Sequence, residues 1–162
     1  MCLYKITKSF DPYYSDDKTE GYKIFWYDGH SLASPYLYGE YYLGCWYHDE
    51  KNILLCSGEE RSYVPGFGYQ PENNFDRHYR SGYHCYTNLK DAKLEFNKYR
   101  RINSVMYILT KVKLKNVIVI GYEKYDGIFK KKLDVIVAKD MYIYSDIIAN
   151  NIDKKKKKFI FF

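Results

Sequence analysis

The chain has 162 residues, enough for one domain with a core of its own. No stretch reaches the roughly 18 apolar residues of a membrane-spanning helix, and the opening "MCLYKITKSF" lacks a signal-peptide pattern. The formal charge of +6 belongs to one segment: Lys154 to Lys158 supply five positive charges, leaving 21 basic residues against 20 acidic ones elsewhere.

The elements expected along the chain begin with short strands between turns. "CLYKIT" alternates, "DPYYSDDKTEG" is a polar loop, and "YKIFWY" is a strand ended by the turn signal Asp28-Gly29. "SPYLYGEYYLGCWYHDEKNILLC" holds two more strands, on either side of Asp49 to Asn52. From about 57 to 80 the periodicity dissolves into a long irregular loop rich in glycine, with two prolines. One principal helix is predicted over about 88–102. Thr87 or Asn88 caps it, Asp91 suits its dipole, and Leu89, Ala92, Phe96, Tyr99 and Ile102 form an apolar stripe.

The last third reads as strands. In "MYILTKVKL" Met106, Ile108, Thr110, Val112 and Leu114 occupy one face, and Tyr107, Leu109, Lys111 and Lys113 the other. "NVIVIGY", "LDVIVAK" and "MYIYSDI" follow as further strands, with a turn at Asp126-Gly127. The expected class is therefore α+β: a mostly antiparallel sheet, one helix, and the 57–80 loop. A single domain spans 1–150, and 151–162 is a basic and aromatic tail.

Cysteines at 2, 45, 56 and 85 form no C-x-x-C pair, which suits reduced thiols in a cytoplasmic rather than a secreted protein. Cys45, His48, Cys56, His78, His84 and Cys85 lack the spacing of a zinc site, so no metal and no cofactor is expected. His84 and Cys85 are adjacent, and a strand sends adjacent side chains to opposite faces, so they make no catalytic dyad. "PGFGYQP" lacks the following helix and G-K-[ST] of a phosphate loop, and Asp16-Asp17 and Glu59-Glu60 read as solvated charge.

Tyrosine is the outlier, at 21 residues. AT-rich codons and the fit of Tyr to half-buried strands account for it without function. The functional alternative is a stacking platform, because an aromatic face stacks on any base. Lys154, Lys155, Lys156, Lys157 and Lys158 are the candidate nucleic-acid contacts in the tail, or a weak membrane-surface anchor together with the terminal aromatics.

The ordered segments "GYKIFWYDGHSLASPY", "YYLGCWYHDE", "SGYHCYTNLKDAKLEF" and "VKLKNVIVIGYE…DVIVAKDMYI" resemble uncharacterised domains found in bacteriophages and giant DNA viruses. The likeness runs over most of 21–145. Its marker is a G-(I/F)-H-(F/C)-(F/Y) strand leading into a helix, here Gly82 to Tyr86 followed by Thr87, with Tyr83 at the Ile/Phe position. Asn88-Leu89-Lys90 departs from the family's charged or small residues. "SGYHCYT…DA" also resembles, more distantly, a segment of ADP-ribosyltransferases. That likeness sets His84 where an aromatic stacks on nicotinamide and offers Glu123 as the catalytic carboxylate, without the family's opening motifs.

The viral resemblance carries a fold expectation and no established activity; the reading expected is a small viral accessory protein, placed in the host cytoplasm, that works as a binding module. Its partner would be a nucleotide, RNA, or a host or viral protein. Tyr83, His84 and Tyr86 would border a pocket beside the 57–80 loop, with Tyr22, Ser34 and Tyr36 on neighbouring strands. The alternatives are an ADP-ribosyltransferase-like enzyme or its inactive relic, and a virion or assembly component packed through tyrosine-rich faces.

Overall fold

The computed structural model describes residues 3–14, 19–34, 39–51, 53–56, 62–64, 68–70, 78–99, 106–125 and 131–150. Tyr36 and the lysines from Lys154 to Lys158 lie outside them. Strands β1 (Lys5–Tyr14), β2 (Glu20–Tyr27), β3 (Leu32–Ala33), β4 (Glu40–Tyr41), β5 (Trp46–His48) and β6 (Leu54–Cys56) come first. Then follow β7 (Ser62–Val64), β8 (Gly68–Gln70), β9 (His78–Arg80) and β10 (Tyr83–Tyr86). Helix α1 (Leu89–Tyr99) precedes the two longest strands, β11 (Met106–Tyr125) and β12 (Lys131–Asn150).

This corrects the expected α+β class. Antiparallel strands make up most of the described chain, and its only α-helix there spans 11 residues, so the fold is β-rich. Two features of the chain hid this. The four segments of the last third merge into two strands of 20 residues each, paired along nearly their whole length. Asn116, expected to open a separate strand "NVIVIGY", instead holds a left-handed φ of 53° inside β11, a conformation asparagine tolerates. The register slips between Val117 and Val119, so the strand bends and continues. The 57–80 stretch also carries strands: β7 pairs with β8, and β9 with β6. Three-residue strands are too short to show a period. The helix is shorter than 88–102, and Ile102 lies outside the described residues.

Eight strands form one sheet whose pairings close on themselves. The first half of β11 pairs with β2, β11 pairs with β12, β12 pairs with β10, and β10 returns to β2 through Tyr86 opposite Tyr22. One face carries Phe25, Tyr83, Cys85, Ile108, Val112, Leu114, Met141 and Ile143 as a single apolar cluster. The opposite face is covered at one end by α1, whose Ala92 and Phe96 pack with Ile24, Tyr107, Leu109 and Val135. Phe25 is fully buried, and Phe25→Ala is expected to cost about 3–5 kcal/mol, read as a lower urea midpoint with an unchanged slope.

The cap of α1 docks it to the sheet. Asn88 Oδ1 accepts the Asp91 amide at 2.8 Å, and Asn88 Nδ2 donates to Asp91 Oδ2 at 2.9 Å. Asp91 also accepts from Lys131 Nζ at 2.7 Å and from the Asp134 amide at 3.1 Å. Burial pushes the Asp91 carboxyl up, but the bonds from Lys131, Asn88 and Asp134 outweigh it and hold it below the usual carboxylate range. Gly82 has a packing reason of its own. A β-carbon there would lie 2.6 Å from the Ala138 carbonyl oxygen, so only glycine lets the chain approach β12 this closely.

Candidate nucleic-acid interface

His84 meets the core. It lies on β10 opposite Val137 and is 8% exposed. Its hydrogen bonds form one consistent chain. The Leu3 amide donates to Tyr79 Oη at 3.0 Å, so the Tyr79 hydroxyl donates onward to His84 Nε2 at 2.9 Å. His84 Nδ1–H then donates to the Gly82 carbonyl at 3.2 Å. Tyr79 also packs edge-on against the imidazole, with centroids 5.7 Å apart. Burial, reinforced by the Lys23 ammonium, pushes the imidazole pKa down to about 3, so the ring is neutral. Both ring nitrogens are engaged, and the histidine ties the start of the chain to β10.

The other predicted residues do not converge around it. Tyr86 shares the helix-covered cluster, whereas Tyr83 belongs to the cluster on the opposite face. Burial lifts the Tyr83 hydroxyl well above the usual tyrosine range. Ser34 is buried, and Tyr22 is half-buried between Tyr86 and Lys111. Burial raises the Cys85 thiol to about 11, which leaves it protonated and inert. Buried Lys23 donates to the His84 carbonyl at 2.8 Å, and burial lowers its pKa. Glu123 is raised to about 7, chiefly by burial, and its Oε1 has no hydrogen-bond partner among the described residues. Among those residues no group of His, Cys, Asp and Glu could hold a metal.

A different set of side chains does converge, on the helix-side face of the sheet beyond the reach of α1. Cross-strand partners share a face, and one row reads Glu20, Lys113, Tyr142, Trp46 across β2, β11, β12 and β5. The next row holds Lys115, Asp140 and His48. Because Val112 and Leu114 are buried on the opposite side, alternation turns Lys111, Lys113 and Lys115 outward. The same alternation around Met141 and Ile143 presents Tyr142 and Tyr144.

The rings form a continuous strip. Trp46, 47% exposed, lies 5.5 Å from Tyr142, which meets Tyr144 edge-on at 5.4 Å. Lys115 Nζ is 5.2 Å from the Trp46 ring and Lys111 Nζ 5.8 Å from Tyr144. Glu20 anchors the far end, bridging Lys111 at 2.6 Å and accepting from Tyr144 Oη at 3.3 Å. Beside Trp46 opens a groove of about 380 Å³ lined by Trp46, Tyr47, His48, Lys115, Asn116 and Asp140. At its wall His48 Nδ1 meets Asp140 Oδ1 at 2.6 Å, while Asn116 Nδ2 donates to Asp140 Oδ2.

No protein-family model, curated protein or solved structure matches this chain. The site therefore rests on its own geometry.

Half of this face could be read in advance. The alternation "KVKLK" sets Lys111, Lys113 and Lys115 together, and "YIY" does the same for Tyr142 and Tyr144. The missing information was register: nothing local places Tyr142 between Lys113 and Trp46, residues 29 and 96 positions away.

Proposed function

We propose that the protein is a binding module for single-stranded nucleic acid, with the strand lying across β11, β12 and β5. The observation that carries this reading is the strip Trp46–Tyr142–Tyr144, with Trp46 exposed, the two tyrosines half-buried, and lysines on the same face. Rings that lie in sequence supply stacking for successive bases of any identity, and lysines beside them supply the phosphate contacts. A viral accessory role in the host cytoplasm fits this activity. Lys154 to Lys158 would extend the basic contact.

Charge on the platform is modest, because Lys111 is bound by Glu20 and Asp140 faces Lys115. Stacking therefore has to supply much of the affinity, and the salt dependence should be shallow. Titrating a fluorescein-labelled oligouridylate by anisotropy over a salt series tests this. Neutralising Lys113 and Lys115 to glutamine is expected to reduce the log–log salt slope by about 1.4, at ~0.7 per lysine for single strands. Removing 154–162 should reduce it again. An absence of binding by the intact chain, or an unchanged slope in the double variant, would sink the proposal.

A further inference from the structure

The groove beside Trp46 holds a polar arrangement that stacking and phosphate contacts leave unused. His48 stands on β5, its side chain 58% exposed, opposite Asp140 in the same row as Lys115. Asp140 is itself held in place. Its Oδ2 accepts from Asn116 and its Oδ1 faces His48 Nδ1 at 2.6 Å. Asn116 reaches that position because of its left-handed backbone at the β11 bend.

The consequence for the imidazole is specific. A carboxylate accepts only, so the nitrogen facing Asp140 carries the proton, and in the neutral ring Nε2 presents a lone pair. Nε2 has no protein partner among the described residues, and the ring that carries it lines the groove. In that neutral form the ring offers an acceptor next to a stacking ring and a lysine, a site for a hydroxyl hydrogen. Among the parts of a polynucleotide, a base stacked on Trp46 and a phosphate at Lys115 would be bridged by the sugar.

On the reading that this face binds a single strand, we propose that the groove is a ribose subsite: His48 Nε2 accepts the 2′-hydroxyl hydrogen and makes the module prefer RNA to DNA. Asp140 and Asn116 are positioning residues that set the tautomer and ring orientation. The preference is moderate, because an exposed Nε2 that loses the hydroxyl regains a water instead of being left unsatisfied. About 3- to 10-fold is the scale expected of one such bond.

The test compares oligouridylate with its 2′-deoxy and 2′-O-methyl counterparts on the full chain, by anisotropy at one salt concentration. The ribo form should bind about 3- to 10-fold more tightly than either, since both lack the donor hydrogen. His48→Ala should bring the ratio of ribo to deoxy affinity close to one. Asp140→Asn should also shrink the ratio while circular dichroism stays unchanged. Equal affinity for all three oligonucleotides, or a ratio that survives His48→Ala, would overturn the ribose subsite yet leave the stacking module standing. Failure of every oligonucleotide to bind would remove both. The three-oligonucleotide arm uses the unaltered protein, so a variant that fails to fold does not rescue the proposal.

Discussion

Substituting His84 by glutamine should make the protein more stable on mild acidification, where the native chain is nearly indifferent. The imidazole is buried and neutral, with its pKa held at about 3 chiefly by burial. An unfolded chain takes up this proton near the ordinary value of about 6.5. Below that pH the unfolded state binds a proton that the folded state refuses, so stability falls as pH drops toward 3. The whole window is worth on the order of 5 kcal/mol. Glu123 works in the opposite sense. Burial raises its folded pKa to about 7, so the folded chain takes up this proton first. Its contribution is fully present below about pH 4.5 and is lost as pH rises through 7.

Between pH 7 and about 4.5 the two effects nearly cancel in the native protein, each being on the order of 3 kcal/mol. Without His84 only the Glu123 gain remains, and urea midpoints of the variant should climb over that interval. Glutamine at 84 can still accept from Tyr79 and reach a carbonyl, so the profile rather than its offset carries the result. Parallel pH profiles for the two chains would show that His84 is not the buried neutral group described.

The second large effect falls on binding. Trp46→Ala should weaken oligouridylate affinity by about 5- to 150-fold, the range that corresponds to losing one base–aromatic stack of ~1–3 kcal/mol. The indole is the widest ring of the strip and the one beside the groove, and it also seats Lys115. It is only half-buried, so its loss should leave the thermal midpoint almost unchanged. Trp26 is the fitting control. It is 40% exposed but stands on β2 opposite Tyr107 and Ala33, four residues beyond Tyr22. Trp26→Ala should keep native affinity. Equal losses in both variants would mean that exposed aromatics bind without a defined platform.

Several elements were legible in the chain itself. The helix start is one, since Asn88 and Asp91 make the capping contacts their positions suggested. The opposite faces of His84 and Cys85 are another, and the two belong to different surroundings: His84 against Tyr79, Cys85 among Phe25 and Ile108. The strand class was not fully legible, because Asn116 serves equally as a turn residue or as a left-handed bend. Only pairing with Asp140 and its strand settles which. The role of His84 was unreadable for a related reason. A histidine on an apolar strand looks the same whether it faces a ligand or a tyrosine contributed from five residues upstream.

By itself the sequence determined the local alternation that turns Lys111, Lys113 and Lys115 to one side, the cap of α1, and the glycine at 82. Each is a matter of neighbouring residues and backbone geometry. Tertiary structure alone decided which faces are covered. α1 spans only one end of the sheet, so the same strand face is core at Tyr107 and Leu109 and solvent platform at Lys111 to Lys115. Coverage is a long-range property, set by where an 11-residue helix and β5 come to rest. It moved the proposed binding face from His84 to Trp46.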